Sequence, residues 1–212
     1  MQALASVKLT DDPSLLDPAP LEAFLEYAVN PQQLRAGIEL WVAAFPSIHN
    51  PLRVYNPSTL VKDGLRAKFL PTVDYFHIQA TKTDEELYQT LLASAAIPGA
   101  FVTRKVEGKH YVDGFLGDNV PLKALSERGC THAIVVHLDN GELWSRHNFP
   151  NQTIIEIRPT EDIGGFTKLL DLSPDRVKLL RERGYQDAKR CLEPILQTLA
   201  IEQSRQVSLG RL

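Results

Sequence analysis

The segment HYVDGFLGDNVP, residues 110–121, places two carboxylates, two glycines and a proline directly behind a β-rich run. An Asp-Gly pair in this position is a strong turn signal, so the segment predicts a strand that ends at Asp113. Asp118 and Asn119 precede Pro121 as the start of a helix does, with Asn119 as a candidate N-cap. A turn explains Asp113 less fully, because that residue ends a strand at the carboxyl edge of the predicted sheet. Ligands bind at that edge in open α/β sheets.

Strand and helix patterns alternate on both sides of this segment. Strands are predicted at residues 37–45, 74–80, 132–138 and 152–159, and a hairpin over 101–112 with its turn at Glu107-Gly108. Helices are predicted at residues 20–28, 83–97 and 121–129, and a long C-terminal helix from Ser173-Pro174 that Pro194 kinks or splits. This alternation predicts an α/β domain with a mainly parallel sheet flanked by helices. The domain is expected to cover residues 1–200, and the tail 201–212 to fray.

Composition narrows the classes of function. The chain has 212 residues, 43% hydrophobic and 23% charged, which is enough apolar material for one core. The formal net charge of −3 comes without a basic stripe, so no nucleic-acid partner is predicted. The apolar stretches are shorter than the roughly 20 residues that span a bilayer, and the N-terminus shows no signal-peptide pattern. Two isolated cysteines, Cys130 and Cys191, argue against a disulfide scaffold, and a cytoplasmic location is expected.

A search for catalytic groups leaves Asp113 as the main candidate. The sequence contains no G-x-S-x-G nucleophile motif, and Ser94 lies among small residues that indicate close helix packing. His110 precedes Asp113 by three residues, which allows a His–Asp pair, although strand alternation places residues 110 and 112 on one face. Cys130 and His132 have no second pair at a zinc-like spacing, and no phosphate-binding glycine motif occurs. Neither a metal nor a cofactor is therefore predicted, and a purely structural role for Asp113 stays open.

Three stretches resemble the patatin-like phospholipases, a family of lipid acyl hydrolases. They are ASAAIPGAF at 93–101, YVDGFLGDNVP at 111–121 and LLDLSPDRVKLLRERGYQDAKRCLE at 169–193. The second resembles the family's D-G-G/A motif with its downstream D-N-x-P, and it is the most specific of the three. Residues 15–45 also fit the family's middle region. The resemblance covers roughly residues 15–195 and predicts a partial patatin-like fold.

The resemblance implies hydrolysis of a lipid acyl ester by a Ser–Asp dyad. In such enzymes a serine attacks the acyl carbonyl, and water then hydrolyses the acyl-enzyme. The aspartate acts as base, and a glycine-rich loop donates backbone N–H groups to the oxyanion. Asp113 matches the dyad aspartate, followed by Gly114. A lipid substrate also implies peripheral contact with a membrane.

Because of two departures from the family pattern, two hypotheses for the function stay open. The serine and the glycine-rich loop would both precede Met1, and Phe115 occupies a position where the family has Gly or Ala. Phe115 is therefore expected to shape the acyl site. One hypothesis is an enzyme whose other half lies outside these residues; this chain alone would then be inactive, and would self-associate or need the missing N-terminal segment. The alternative is a catalytically inactive module that binds a lipid or a protein.

Overall fold

The computed structural model describes residues 16–48, 57–69, 72–138, 141, 144–164, 168, 171 and 173–209. The chain divides into two compact units, Met1–Arg128 and Gly129–Leu212. Each unit has its own sheet and is described by itself. The single domain expected over residues 1–200 stays a prediction.

The first unit contains a four-stranded sheet in which every neighbouring pair is antiparallel. Its strands are β1 (Trp41–Pro46), β2 (Asp74–His77), β3 (Arg104–Val106) and β4 (Lys109–Asp113), in the order β2-β1-β4-β3. The mainly parallel sheet predicted from the sequence is therefore not confirmed here. Alternating strands and helices do not fix strand direction, which depends on the end of the sheet to which each connection returns. The β3–β4 hairpin turns at Glu107-Gly108, as predicted, and its tight turn requires an antiparallel pair.

Helices cover both faces of this sheet, which confirms the α/β class. They are α1 (Ala19–Ala28), α2 (Pro31–Ala36), α3 (Pro57–Phe69), α4 (Asp84–Ala93) and α5 (Leu122–Ser126). On one face Ala93 of α4 packs in a buried cluster with Ala44, Val106 and Tyr111. On the other face Ala67 of α3 packs with Phe45 and Val112. Strand β1 lies at the centre, and Ala44 and Phe45 are fully buried because they face opposite helices.

The predicted start of α4 is confirmed in its hydrogen bonds. The Thr83 hydroxyl accepts the N–H of Glu86 at 3.1 Å, and the Glu86 carboxylate accepts the N–H of Lys82 at 2.8 Å. Both bonds satisfy donors that the first helical turn leaves without an intrahelical partner. The helix therefore begins where Thr83 and Glu86 place it. It ends at Ala93, a few residues before the predicted stop at Pro98.

The second unit contains a parallel strand pair and the long C-terminal helix. The strands are β5 (His132–Val136) and β6 (Thr153–Ile157), and the helix α6 runs over Pro174–Leu209. Here the parallel pairing expected from the sequence does occur. The helix starts at the predicted Ser173-Pro174 pair and continues past Pro194. It also extends beyond residue 200, so most of the tail that was expected to fray is helical.

Candidate active site

Asp113 is the last residue of β4, at the strand end predicted from the sequence. Its Cα lies opposite that of Ala44 in the neighbouring strand β1. Its backbone N–H donates to the carbonyl oxygen of Ala96, just beyond α4, at 2.9 Å. Strand alternation gives Asp113 the same face as Tyr111, which is the face covered by α4. The backbone of Asp113 is thus fixed by two neighbouring segments of the fold.

The Asp113 carboxylate is partly buried, and its environment changes its basicity. Burial raises the pKa of Asp113 to about 6, whereas the N–H of Phe115 acts in the opposite direction. That N–H donates to Oδ1 of Asp113 at 3.0 Å. At neutral pH the group is a carboxylate with a greater affinity for protons than an ordinary aspartate has. Such a group is suited to accept a proton in catalysis.

Two glycines let the chain after Asp113 lie flat against the sheet. A Cβ atom on Gly114 would approach the carbonyl oxygen of Ala43 to 2.6 Å. A Cβ on Gly117 would lie 2.7 Å from a methyl carbon of Val73. Real Cβ atoms essentially never come so close to other heavy atoms, so a larger residue at Gly114 would push the turn away from β1 and one at Gly117 would displace Val73 or the turn. Gly114 therefore sets the path of the turn that delivers the Phe115 N–H to Asp113.

Asp118 fixes the far end of this turn by two hydrogen bonds. Its Oδ1 accepts the N–H of Val120 at 3.1 Å, and its Oδ2 accepts the hydroxyl of Tyr75 on β2. Burial raises the pKa of Asp118, although both hydrogen bonds oppose this effect. Sequence analysis missed Tyr75, because nothing in the strand that contains it indicates a partner 43 residues away.

The predicted helix cap at Asn119 is wrong. Helix α5 begins at Leu122, its cap position is Pro121, and no side chain caps it. Asp118 bonds the chain just before this helix rather than its first turn. The carboxylate therefore stabilises the turn that precedes α5. Asp118 thus lies just before the helix, as predicted, but its carboxylate bonds the turn and not the helix itself.

The three predicted site residues, Asp113, Gly114 and Phe115, are consecutive and lie at the end of β4 and in the turn that follows it. Phe115 is 38% exposed, and its backbone remains within hydrogen-bonding distance of Asp113. The large side chain at this position therefore does not displace the backbone from Asp113. His110 is not brought to Asp113: strand alternation places the two on opposite faces, and Nδ1 of His110 lies 3.2 Å from the Thr103 hydroxyl.

A separate cleft of about 490 Å³ lies in the first unit. Its lining includes Trp41, Asp74, Glu86, Lys109 and Tyr111, and does not include Asp113. Charged side chains in this lining do not suit a hydrocarbon chain. Within the described ranges, no group of three or more His, Cys, Asp or Glu side chains could hold a metal ion.

Comparison with known proteins identifies the family. The family model of the patatin-like phospholipases matches residues 7–126, which is more than half of the chain. The chain belongs to the patatin-like phospholipase family. This is a family of lipid acyl hydrolases, and membership indicates lipid substrates. No curated protein matched the chain.

The family match lies within the first unit. It includes the whole segment from β1 to α5, and with it the turn that follows Asp113. It stops before β5, so the resemblance noted for residues 169–193 stays a prediction. In the part of the chain that the structure describes, no helix is both long and apolar enough to span a bilayer.

Proposed function

We propose that this chain carries the base of a lipid acyl hydrolase, with Asp113 as the aspartate of a Ser–Asp dyad. The observation that carries the proposal is the partly buried Asp113 carboxylate, held at the end of β4 inside the family match. Three residues contribute to the site. Asp113 moves the proton, Gly114 permits the tight turn, and Phe115 donates its N–H to the carboxylate while its side chain shapes the acyl site.

The proposed reaction proceeds in two halves. A serine hydroxyl attacks the acyl carbonyl while its proton passes to Oδ2 of Asp113, since Oδ1 accepts the Phe115 N–H. The tetrahedral intermediate expels the alcohol, which takes the proton back from Asp113. Water then attacks the acyl-enzyme while its proton passes to Asp113, and the serine oxygen takes that proton back as the fatty acid is released. Only the deprotonated form of Asp113 can begin either half.

The serine comes from outside these 212 residues in this proposal. No G-x-S-x-G sequence occurs among them, whereas that motif is the usual way to present a nucleophilic serine. The chain by itself is then expected to be inactive. Its proposed partner is an N-terminal segment that supplies the serine and the oxyanion donors.

The test is an esterase assay on short acyl esters, using protein expressed together with the coding sequence upstream of Met1. We expect hydrolysis, labelling of a serine by a fluorophosphonate, and a loss of about 10²–10⁴-fold in kcat for Asp113→Asn. Asp84→Asn is the matched control, because Asp84 is an exposed carboxylate paired with Arg35 at the start of α4. Hydrolysis that survives Asp113→Asn at the wild-type rate would refute the dyad.

A second candidate function is a catalytically inactive module that binds a lipid or a protein. The observations that favour it are the lack of a G-x-S-x-G motif and the large side chain of Phe115. It predicts that the chain alone sediments with lipid vesicles or a partner protein, and that no upstream sequence confers hydrolysis. Activity that requires both the upstream segment and Asp113 would rule it out.

The proposal also includes the substrate class, the membrane contact and the cellular location of the protein. Substrates of this class are lipid acyl esters, so peripheral contact with a membrane surface is expected. We place the protein in the cytoplasm, with self-association as the alternative to pairing with an N-terminal segment. Cell fractionation of the full gene product, with and without carbonate extraction of membranes, tests the location and the peripheral mode of attachment.

A further inference from the structure

The turn after Asp113 is anchored at both of its ends. At its start, Asp113 is held in β4 by the strand register and by the carbonyl of Ala96. At its end, the N–H groups of Gly117 and Asp118 both donate to the carbonyl of Gly114, at 3.0 and 2.9 Å. The turn therefore forms one hydrogen-bonded unit whose last residue is Asp118.

The second anchor reaches across the sheet to a different strand. Tyr75 lies on β2, which is separated from β4 by β1. Its register partner is Ala43, which lies two residues before the buried Phe45 and therefore on the same face of β1. The Tyr75 side chain thus lies on the face covered by α3. The Tyr75 hydroxyl donates to the Asp118 carboxylate on this face. One hydrogen bond thus connects the end of the turn after Asp113 to the edge strand β2.

We propose that Tyr75 and Asp118 are positioning residues that hold the turn after Asp113 so that the Phe115 N–H stays bonded to the Asp113 carboxylate. The inference rests on the proposed function, because positioning matters for catalysis only if Asp113 is the base. The Tyr75–Asp118 hydrogen bond controls the environment of Asp113 from the opposite face of the sheet.

Burial gives this bond more weight than an exposed pair would have. Both residues are only partly accessible, and burial raises the pKa of Tyr75, with the Asp118 carboxylate adding to the rise. A hydrogen bond to an ionised carboxylate is roughly twice as strong as one between neutral groups. Without the hydroxyl, the Asp118 carboxylate keeps the Val120 N–H and the attraction of Lys123 but loses its bond to β2. The turn would then lose this tie to the sheet edge and could move away from Asp113.

The experiment is an NMR titration of the Asp113 carboxyl carbon in the 212-residue chain, without substrate. Tyr75→Phe removes one hydroxyl and leaves every charge near Asp113 in place. We expect it to raise the Asp113 midpoint by about 0.5–1 pH unit, because a weaker Phe115 N–H bond stabilises the carboxylate less. Tyr88→Phe is the matched control, since its hydroxyl donates to the Val29 carbonyl at 3.0 Å, away from the turn. The Asp113 signal is assigned by its absence in Asp113→Asn.

Two further variants test whether Asp118 acts through its hydrogen bonds. In the hydrolase that contains the serine, Asp118→Ala should lower kcat at least ten-fold with little change in KM. Asp118→Asn should recover part of the loss, because its amide oxygen can still accept the Val120 N–H. A midpoint for Tyr75→Phe equal to that of the wild type, or equal kcat values for Asp118→Ala and wild type, would overturn the proposal.

The two proposals fail in different ways. A shifted midpoint in Tyr75→Phe without any hydrolysis would refute the dyad and leave the control of the Asp113 carboxylate standing. Hydrolysis that depends on Asp113, together with an unshifted midpoint, would refute the positioning role alone. The titration needs neither substrate nor upstream segment, so its result does not depend on the esterase assay.

Discussion

The Asp113 carboxylate is kept in a place that favours its protonated form. Burial raises its pKa to about 6, and the single N–H of Phe115 compensates only in part. A structural aspartate at a strand end would normally be better solvated or paired, because unpaired buried charge costs free energy. The unfavourable environment is what an acid–base catalyst near neutral pH requires. Burial of Asp113 therefore makes its carboxylate more basic and lowers the stability of the fold at neutral pH.

This effect predicts that Asp113→Asn stabilises the chain at neutral pH. In the wild type the folded pKa lies above the unfolded value near 3.9, so the free energy of unfolding falls as pH rises from about 4 to 6. Asparagine carries no charge and can still accept the Phe115 N–H. At pH 7.5 we expect Asp113→Asn to be more stable by about 1–3 kcal/mol, with the difference vanishing below pH 4. Urea unfolding at pH 3.5, 5 and 7.5 measures it, and a wild type more stable than the variant at pH 7.5 would contradict it.

Only part of the site can be predicted at the residue scale. Asp113 and Gly114 can be proposed as site residues because an Asp-Gly pair behind a β-rich run is a local pattern that resembles the family's motif. Tyr75 has no such pattern, since its role depends on the partner that β2 meets through the fold. The predicted Asn119 cap failed because α5 begins later, at Leu122, with Pro121 in the cap position.

At the scale of single elements, β6 presents a buried carboxylate of a different kind. The Glu156 side chain is 7% exposed and is bonded by Arg146, Arg158 and His137, the last at 3.1 Å. Burial alone would raise its pKa, but the hydrogen bonds from Arg146 and Arg158 outweigh that effect and lower it. Glu156 therefore joins the end of β6 to the segments around it. Its ionised form supports the fold, in contrast to that of Asp113.

We predict that Glu156→Gln destabilises the second unit by about 1.5–3 kcal/mol at pH 7, because Arg146 and Arg158 lose charge-assisted hydrogen bonds to a carboxylate that is itself only 7% exposed. The folded pKa of Glu156 is lowered, so its contribution is present above the unfolded value near 4.3 and is lost as pH falls through the folded value. Urea unfolding followed by Trp144 fluorescence reports this, since Trp144 lies against His137.

The control for that prediction is Glu161→Gln. Glu161 pairs with Arg183 at 2.8 Å, but its side chain is mostly exposed. Exposed pairs contribute about 0–1 kcal/mol, so this variant should unfold almost as the wild type does. Equal losses in the two variants would mean that burial of Glu156 has no energetic importance.

Element boundaries were predicted well wherever a local signal fixes them. The Thr83–Glu86 capping box placed the start of α4, and the Glu107-Gly108 pair placed the hairpin. The first strand was predicted too long. It begins at Trp41 rather than residue 37, because Gly37 ends α2 and Ile38 is exposed. Apolar residues alone therefore did not distinguish the strand from the connection before it.

At the scale of the whole molecule, large apolar side chains remain uncovered. In the second unit Ile134, Val136 and Leu138 follow one another at alternating positions and are 58%, 61% and 69% exposed. Isolated exposed aliphatic residues are ordinary, but a contiguous row of them marks an interaction surface. Two parallel strands with an uncovered face are also unusual, since parallel sheets are normally buried on both sides.

We therefore predict that the 212-residue chain expressed alone associates with itself. Light scattering should show a mass that rises with concentration, and the double variant Ile134→Thr/Val136→Thr should reduce it, because threonine keeps the β-branched shape while lowering the apolar area. Co-expression with the upstream segment should abolish association if that segment covers the surface. A monomeric, cooperatively unfolding chain would count against a missing partner segment that covers this surface.

The sequence by itself determined the α/β class, the family, the ends of several helices and strands, and the aspartate at the end of β4. These follow from periodicity, capping and turn signals, which act over a few residues. The tertiary structure alone decided the antiparallel direction of the main sheet, the burial that changes the basicity of Asp113 and the bond from Tyr75 to Asp118. Each of these depends on distant segments meeting in space, and burial and pairing of charges are properties of that meeting rather than of any short stretch.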